Sequence, residues 1–105
     1  MVYLAAVVIA FVLVTVQSVE VRQNVWFKGD STKTGLIKYV RNVQSVNDCY
    51  KACKSQSGCI AFSWLEPGAP QPGTPLTCAL RRTCGETIDR KGGWAGSKNN
   101  QCRLI

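Results

Sequence analysis

Cysteines are the residues whose type and spacing most directly indicate chemistry in this sequence. The chain of 105 residues has six of them, an even number that is typical of a disulfide framework in a small secreted protein: Cys49, Cys53, Cys59, Cys78, Cys84 and Cys102. A zinc site is the other use for such residues, and Cys49-x-x-x-Cys53 offers one pair of ligands. Because thiols pair with each other in an oxidising compartment, we predict disulfides and no metal or other cofactor. Number and spacing alone leave the pairing open.

Groups that could catalyse a reaction are sparse. The sequence contains no histidine, which removes the commonest general base and every Ser-His or Cys-His nucleophile arrangement. The six acidic residues are scattered, and no two have a spacing that suggests a cooperating pair of carboxylates. We therefore expect a protein that is not an enzyme.

The first 18 residues have the composition of a secretory signal peptide. Residues 5–16 form an apolar run, and Val16 and Ser18 would occupy the −3 and −1 positions of a cleavage site. A retained membrane anchor is the alternative, but spanning the hydrocarbon core takes roughly 20 apolar residues and this run is shorter. We predict cleavage after Ser18, a mature domain of residues 19–105, and an extracellular location.

Basic side chains are the second chemical feature. Thirteen lysines and arginines against six acidic residues give a formal net charge of +7, all of it after Ser18. Most lie in two groups: Lys28, Lys33, Lys38 and Arg41, then Arg81, Arg82, Arg90, Lys91, Lys98 and Arg103. Such a surface attracts sulfated glycosaminoglycans, acidic proteins or anionic membranes. The alternative is that these charges only keep the protein soluble.

One helix must position the first two cysteines. Ser45 begins a Ser-x-x-Asp capping pattern, and Gly58 follows as a stop, so we predict a helix over residues 46–55. Its periodicity places Cys49 and Cys53 on the apolar face. Because a helix of about ten residues is marginal alone, its cysteines should attach it to the rest of the domain.

Strands should carry the remaining cysteines. We predict strands over residues 24–27, 36–40, 59–64 and 76–81. Alternation in the third puts Ile60, Phe62 and Trp64 on one face, with Trp64 in the core, and Cys59, Ala61 and Ser63 on the other.

Two segments are predicted as loops. Residues 66–75 contain all four prolines, which neither donate to a sheet nor continue a helix. This segment is either a stiff recognition loop or a tolerated insertion. Cys84 starts a polar connection, after which residues 92–96 place Trp94 among glycines in a loop-like setting. Trp94 either packs at an edge of the core or contacts a ligand.

Several motifs combine around the cysteines. They are Asp48-Cys49-x-x-x-Cys53, Gly58-Cys59-x-Ala61-Phe62-x-Trp64, Cys78-x-Leu80-Arg81, and Gly93-Trp94-Ala95-Gly96-Ser97-Lys98 ahead of Cys102. Together they resemble the PAN/apple domain family, best over residues 45–102. The resemblance implies a small disulfide-rich α+β domain, in which one helix packs across a curved antiparallel sheet.

The resemblance also implies a disulfide pairing. In that family the first helix cysteine bonds to the Cys-x-Leu-Lys strand and the second to the start of the aromatic strand, which implies Cys49–Cys78 and Cys53–Cys59. The pair left is Cys84–Cys102. Family members often tie an N-terminal cysteine to the C-terminal one, but residues 19–48 contain none. The N-terminal strand should therefore be held by packing, with Trp26 and Tyr39 as anchors.

Family members bind proteins or carbohydrates, and four residues are our candidate ligand contacts. Arg81 stands where the family has a lysine and should point outward, opposite Leu80. Arg82 and Lys91 belong to the basic group, and Trp94 offers an aromatic face.

The resulting hypothesis is a secreted, monomeric binding module for extracellular proteins or glycans, including glycosaminoglycans. The alternative is a secreted venom or salivary effector that inhibits a protease, a channel or a haemostatic target. We expect no nucleic-acid partner, because no recognition motif is present, and no stable membrane insertion after signal cleavage. A membrane-active peptide would need a longer, more basic amphipathic helix.

Overall fold

A computed structural model describes residues 20–29 and 31–102; the predicted signal peptide and Arg103 lie outside these ranges. The elements are β1 (Val21–Phe27), β2 (Leu36–Val40), α1 (Val46–Ser55), β3 (Ala61–Leu65), β4 (Cys78–Arg81) and β5 (Thr87–Ser97), with short 3-10 turns at Thr32–Thr34 and Lys98–Asn100. The strands form one antiparallel sheet in the order β1-β5-β3-β4-β2. The predicted α+β class, one antiparallel sheet with one helix, is confirmed.

The helix lies where its capping pattern predicts. The side chain of Ser45 accepts a hydrogen bond from the backbone N–H of Asp48 at 3.0 Å, which satisfies one of the unpaired donors of the first turn. Cys49 and Cys53 are fully buried against the sheet. The helix is therefore attached to the sheet through its cysteine face, as the periodicity predicts.

The main core lies between α1 and one face of the sheet. Phe62, Trp64 and Leu80 are buried there beside the disulfides. Trp64 is 6 % exposed, and its indole Nε1 donates to the backbone oxygen of Val43 at 2.8 Å, so its one polar atom is satisfied. The prediction that Trp64 is a core residue is confirmed.

The prediction of a loop around Trp94 is wrong. Residues 87–97 form the longest strand of the sheet, which pairs with β1 on one side and β3 on the other. Its glycines weaken the strand signal, but they serve close packing. A Cβ on Gly96 would lie 2.5 Å from Cζ of Phe62, so the Phe62 ring lies directly against this strand.

A bend in β5 folds its first half over the back of the sheet. Gln23 pairs with Trp94, but the next pair is Val25 with Asp89, so residues 90–93 bulge opposite Asn24. The side-chain Oδ1 of Asn24 accepts from the backbone N–H of Gly92 at 3.2 Å and holds the bulge. We call the half beyond the bend, residues 25–27 paired with 87–89, the folded ribbon.

The residues predicted to anchor the N-terminal strand, Trp26 and Tyr39, are not the ones that do so. Val25 and Phe27 are buried, whereas Trp26 is half-buried and Tyr39 is 37 % exposed. Phe27 packs with Ala61, and its backbone N–H donates to Oγ of Ser63 at 3.2 Å. Trp26 alternates away from this contact, so the anchoring role passes to its two neighbours.

The start of β3 also differs from the prediction. Ile60 precedes the strand and packs with the Val25 and Phe27 cluster, while Cys59 packs on the helix side. The alternation of a strand starts only at Ala61. Extending it back to residue 59 therefore assigns Cys59 and Ile60 each to the wrong face of the sheet.

Three disulfides are present, joining Cys49 to Cys78, Cys53 to Cys59, and Cys84 to Cys102. This is the pairing that the family resemblance implies. The first two attach α1 to β4 and to the segment entering β3, and the third ties the chain after β4 to the segment after β5. In a domain this small, each such bond contributes about 2–4 kcal/mol of stability. Among the described residues no helix has the length and apolar character needed to cross a membrane.

Candidate functional site

A groove lies on the sheet face opposite α1. Its volume is about 420 Å³. Its floor is formed by Leu65 at the end of β3 and Thr77 just before β4. Both residues alternate away from neighbours that face the helix, Trp64 and Cys78, which places the groove on the back of the sheet.

Aromatic and aliphatic side chains form two sides of this groove. Trp26 and Ile88 are directly paired across the folded ribbon, and Tyr39 comes from the edge strand β2. Ile88 is 42 % exposed and Tyr39 is 37 % exposed, the two large hydrophobic side chains that remain open to solvent in the described structure. A surface of this kind offers flat apolar faces to a ligand.

Arg41 contributes a positioned positive charge at the end of β2. Its Nη1 donates to Oγ1 of Thr77 at 2.7 Å, and its Cζ lies 5.2 Å from the centre of the Tyr39 ring. The guanidinium is thus held by one hydrogen bond and one cation–π contact. Since a guanidinium has several N–H donors, this arrangement leaves others to bind an anion.

The proline-rich loop forms the remaining wall of the groove, and the second arginine of the groove, Arg90, binds to it. Residues 66–75 connect β3 to β4, and Leu76 closes the base by donating its N–H to the oxygen of Leu65 at 2.7 Å. Nη2 of Arg90, in β5, donates to the backbone oxygen of Pro72. Pro72, Gly73 and Thr74 then line the groove beside Arg90.

The two guanidinium groups dominate the charge of the groove. The residues that line it are Trp26, Tyr39, Arg41, Leu65, Pro72, Gly73, Thr74, Thr77, Ile88 and Arg90. None of these is acidic. The groove therefore combines flat apolar faces with two guanidinium groups that have further N–H donors, an arrangement suited to a ring that carries sulfate or carboxylate.

The solvent exposure predicted for Arg81 is wrong. Arg81 is 1 % exposed and lies opposite Ala61, on the same side of the sheet as Phe27. Its Nη2 donates to the oxygen of Thr34 at 2.7 Å, its Nε to the oxygen of Thr83 at 3.3 Å, and its Nη1 to the oxygen of Gly29.

Alternation from the buried Leu80 points Arg81 to the other face, as expected. That face is not solvent, because the folded ribbon and the chain before β2 cover it. The Arg81 guanidinium, 6.0 Å from the centre of the Phe27 ring, therefore stabilises loops and is inaccessible to a ligand.

The other three predicted contacts lie away from the groove lining. Arg82 and Lys91 are exposed, and neither lines the groove. Trp94 is half-buried, packs at the margin of the core, and donates from Nε1 to Oε1 of Glu66 at 2.9 Å. Its indole N–H is thus used inside the domain.

Sequence reasoning missed the groove because its residues are distant in the chain. Arg41 and Arg90 appear in the basic groups, and Trp26 was assigned to the core, but no motif connects them. The local signal that could have pointed to the groove is an aromatic residue and a cation two positions apart at the end of a predicted strand, Tyr39 and Arg41.

No cation site is evident in residues 20–29 and 31–102, where no group of three or more His, Cys, Asp or Glu side chains could hold a metal ion. All six cysteines are disulfide-bonded. Every buried side-chain nitrogen or oxygen in this part of the chain has a hydrogen-bond partner.

No protein-family model matches this chain, and the comparison with curated proteins finds no significant match. The PAN/apple resemblance therefore depends on the motifs quoted above and stays a prediction.

Proposed function

We propose that this protein is a secreted binding module that captures an extracellular protein or glycan carrying anionic groups, through the groove on the back of its sheet. The observation that carries the proposal is the pair of arginines, each fixed by a hydrogen bond within the domain, on an aromatic-lined hollow that contains no acidic side chain. Fixed donors lose little conformational freedom when an anion binds, which favours affinity.

Size and composition support a binding role for the groove. Ligand-binding clefts typically enclose about 300–1,000 Å³ and combine apolar walls with a few placed polar groups. The groove, at about 420 Å³, lies within that range, and its polar groups are the two arginines with Thr74 and Thr77.

Disulfide content supports the extracellular location. Three disulfides in a domain this small are typical of proteins that pass through an oxidising compartment. A PAN/apple-type module is consistent with the helix-on-sheet architecture and with the cysteine pairing, and it belongs to the proposal.

The test compares two double variants with the same loss of charge. Arg41→Gln/Arg90→Gln changes the groove, and Arg82→Gln/Lys91→Gln changes two exposed cations outside it. The full chain, expressed through a secretory pathway, would be titrated against immobilised heparin and an immobilised sulfotyrosine peptide at about 0.15 M salt, where weak surface attraction is screened.

We expect at least one probe to bind, and the groove variant to bind it about tenfold more weakly, a loss of about 1.4 kcal/mol. The exposed-surface variant should stay within about twofold. Equal losses in both variants would mean diffuse charge attraction and would contradict a groove function.

A secreted inhibitor is the second candidate, and one observation favours it. Residues 70–74 of the proline loop are exposed, while Arg90 holds the same loop from β5. An exposed loop that is held by a side-chain hydrogen bond suits insertion into the site of a protease or channel. Inhibition that is lost when residues 70 and 71, which lie outside the groove lining, are replaced with the arginines intact would favour this function.

A further inference from the structure

We infer that the groove binds an acidic polysaccharide, bearing sulfate or carboxylate groups, in preference to an acidic protein segment. The inference rests on the proposed function, because it names the ligand class of the same groove. Three features of the groove carry it: the state of the backbone beneath it, the side chains on its walls, and the way its arginines are fixed.

The backbone beneath the groove offers little to a peptide. A bound peptide satisfies its own N–H and C=O groups most readily by pairing with a free strand edge. The floor of the groove comes from β3 and the start of β4, and β3 is paired on both sides, with β5 and β4. A peptide lying on this floor would therefore have no free strand edge beneath it, and free edges of the described sheet occur only in β1 and β2, which supply Trp26 and Tyr39 to the walls.

The walls suit a sugar ring. A pyranose has flat faces of C–H groups, which pack against aromatic rings, and an edge of hydroxyl groups that both donate and accept hydrogen bonds. Trp26, Tyr39 and Ile88 supply the apolar faces. Thr74, Thr77 and the arginines supply hydrogen-bonding groups for the edge.

The arginines suit the anions of such a polymer. Arg41 enters at the end of β2 and Arg90 from the bend of β5, so the two guanidinium groups reach the groove from separate elements. A guanidinium binds sulfate or carboxylate through paired N–H donors, which a lysine cannot reproduce. An acidic polysaccharide repeats its anionic groups along the chain, so one molecule offers an anion to each arginine.

Net charge favours the same class of ligand. A formal charge of +7 on a chain of this size steers polyanions toward the surface before they settle in the groove. This attraction is weakened by salt, whereas stacking on Trp26 is not, so the two contributions are separable by experiment.

The experiment uses the full secreted chain and two probes of equal formal charge, a heparin hexasaccharide and a peptide containing sulfotyrosine and glutamate. Affinities would be measured by calorimetry at about 0.15 M and about 0.5 M salt for the unchanged protein and for Trp26→Phe, Arg41→Lys/Arg90→Lys and Arg82→Lys/Lys91→Arg. The last variant is the matched control, because it keeps both charges outside the groove. Unchanged thermal unfolding identifies the variants that retain the fold.

We expect the hexasaccharide to bind about tenfold more tightly than the peptide. The arginine-to-lysine variant should weaken that binding about tenfold, and Trp26→Phe about threefold with a larger relative effect at high salt. The control variant should bind like the unchanged protein.

Two results would overturn the inference in different ways. If the peptide binds more tightly and its affinity depends on Arg41 and Arg90, the polysaccharide preference is wrong while the groove function stands. If neither probe depends on the groove arginines, the inference and the proposed function both fail.

Discussion

The indole Nε1 of Trp94 donates a hydrogen bond to Oε1 of Glu66 across 2.9 Å. Glu66 is the first residue after β3, and its own backbone N–H donates to the oxygen of Gly92 at 2.9 Å. These two bonds fix the point at which the proline loop leaves the sheet. Because residues 72–74 of that loop line the groove, Trp94 shapes the groove without being part of its lining.

Trp94→Phe should loosen the proline loop while it keeps an aromatic ring at the core margin. Loss of the side-chain hydrogen bond costs about 1 kcal/mol locally, so amide hydrogens of residues 66–74 should exchange about fivefold faster. Hydrogen exchange followed by mass spectrometry measures this directly. Glu66→Gln retains an oxygen acceptor and serves as the control; equal acceleration in both variants would show that the bond is not what holds the loop.

Arg81→Ala should destabilise the whole domain. The substitution removes donors to three backbone carbonyl oxygens and leaves a buried space beside Phe27. We expect a loss of about 3 kcal/mol in the free energy of unfolding, measured by urea denaturation with the disulfides intact. Arg82→Ala, one position along and exposed, should cost less than about 0.5 kcal/mol. Similar costs for the two variants would contradict the buried position of Arg81.

Gly96→Ala should lower the free energy of unfolding because the ring of Phe62 leaves no room for a side chain at position 96. The added methyl group would lie 2.5 Å from Cζ of Phe62, so β5 or the ring must move, at about 1–3 kcal/mol. Combining it with Phe62→Leu, which removes the obstructing atoms, should cost less than the sum of the single changes in denaturant unfolding. Strict additivity would mean that Phe62 is not what excludes a side chain at position 96.

Disulfide pairing gives a test of the chain topology. Peptide mapping of the unreduced protein should recover Cys49 linked to Cys78, Cys53 to Cys59, and Cys84 to Cys102. A peptide that links Cys49 to Cys84 or Cys102 would be incompatible with the position of α1 on β4.

Local signals explain why part of the fold is predictable from the sequence. The helix follows from Ser45 and the spacing of its cysteines, because capping and periodicity act within about a dozen residues. β5 was missed because its glycines, which are poor strand formers, are required by contacts with Phe62 and by the bend near Gly92. The Phe62 contact joins segments about 30 residues apart, the bond from Gly92 to Asn24 joins residues 68 apart, and no local pattern encodes either.

The candidate site was harder to predict than the fold. Alternation placed Arg81 on the face away from Leu80, which is correct, but only the folded ribbon shows that this face is covered. The groove joins Trp26, Arg41, residues 72–74 and Arg90, which come together through sheet pairing and one strand bend. The sequence indicated basic charge and aromatic residues, and the tertiary structure decides which of them meet.

The most direct test of the groove as the binding surface uses the three tryptophans as internal probes. Trp26 lines the groove, Trp64 is buried with its Nε1 bonded to Val43, and Trp94 is bonded to Glu66. In a two-dimensional ¹H–¹⁵N spectrum of the labelled protein, the indole signals would be followed as a heparin hexasaccharide is added. We expect a saturable shift of the Trp26 signal that is lost in Arg41→Gln/Arg90→Gln, with the Trp64 signal unmoved. A saturable shift at Trp94 with none at Trp26, or no shift at all, would contradict this expectation.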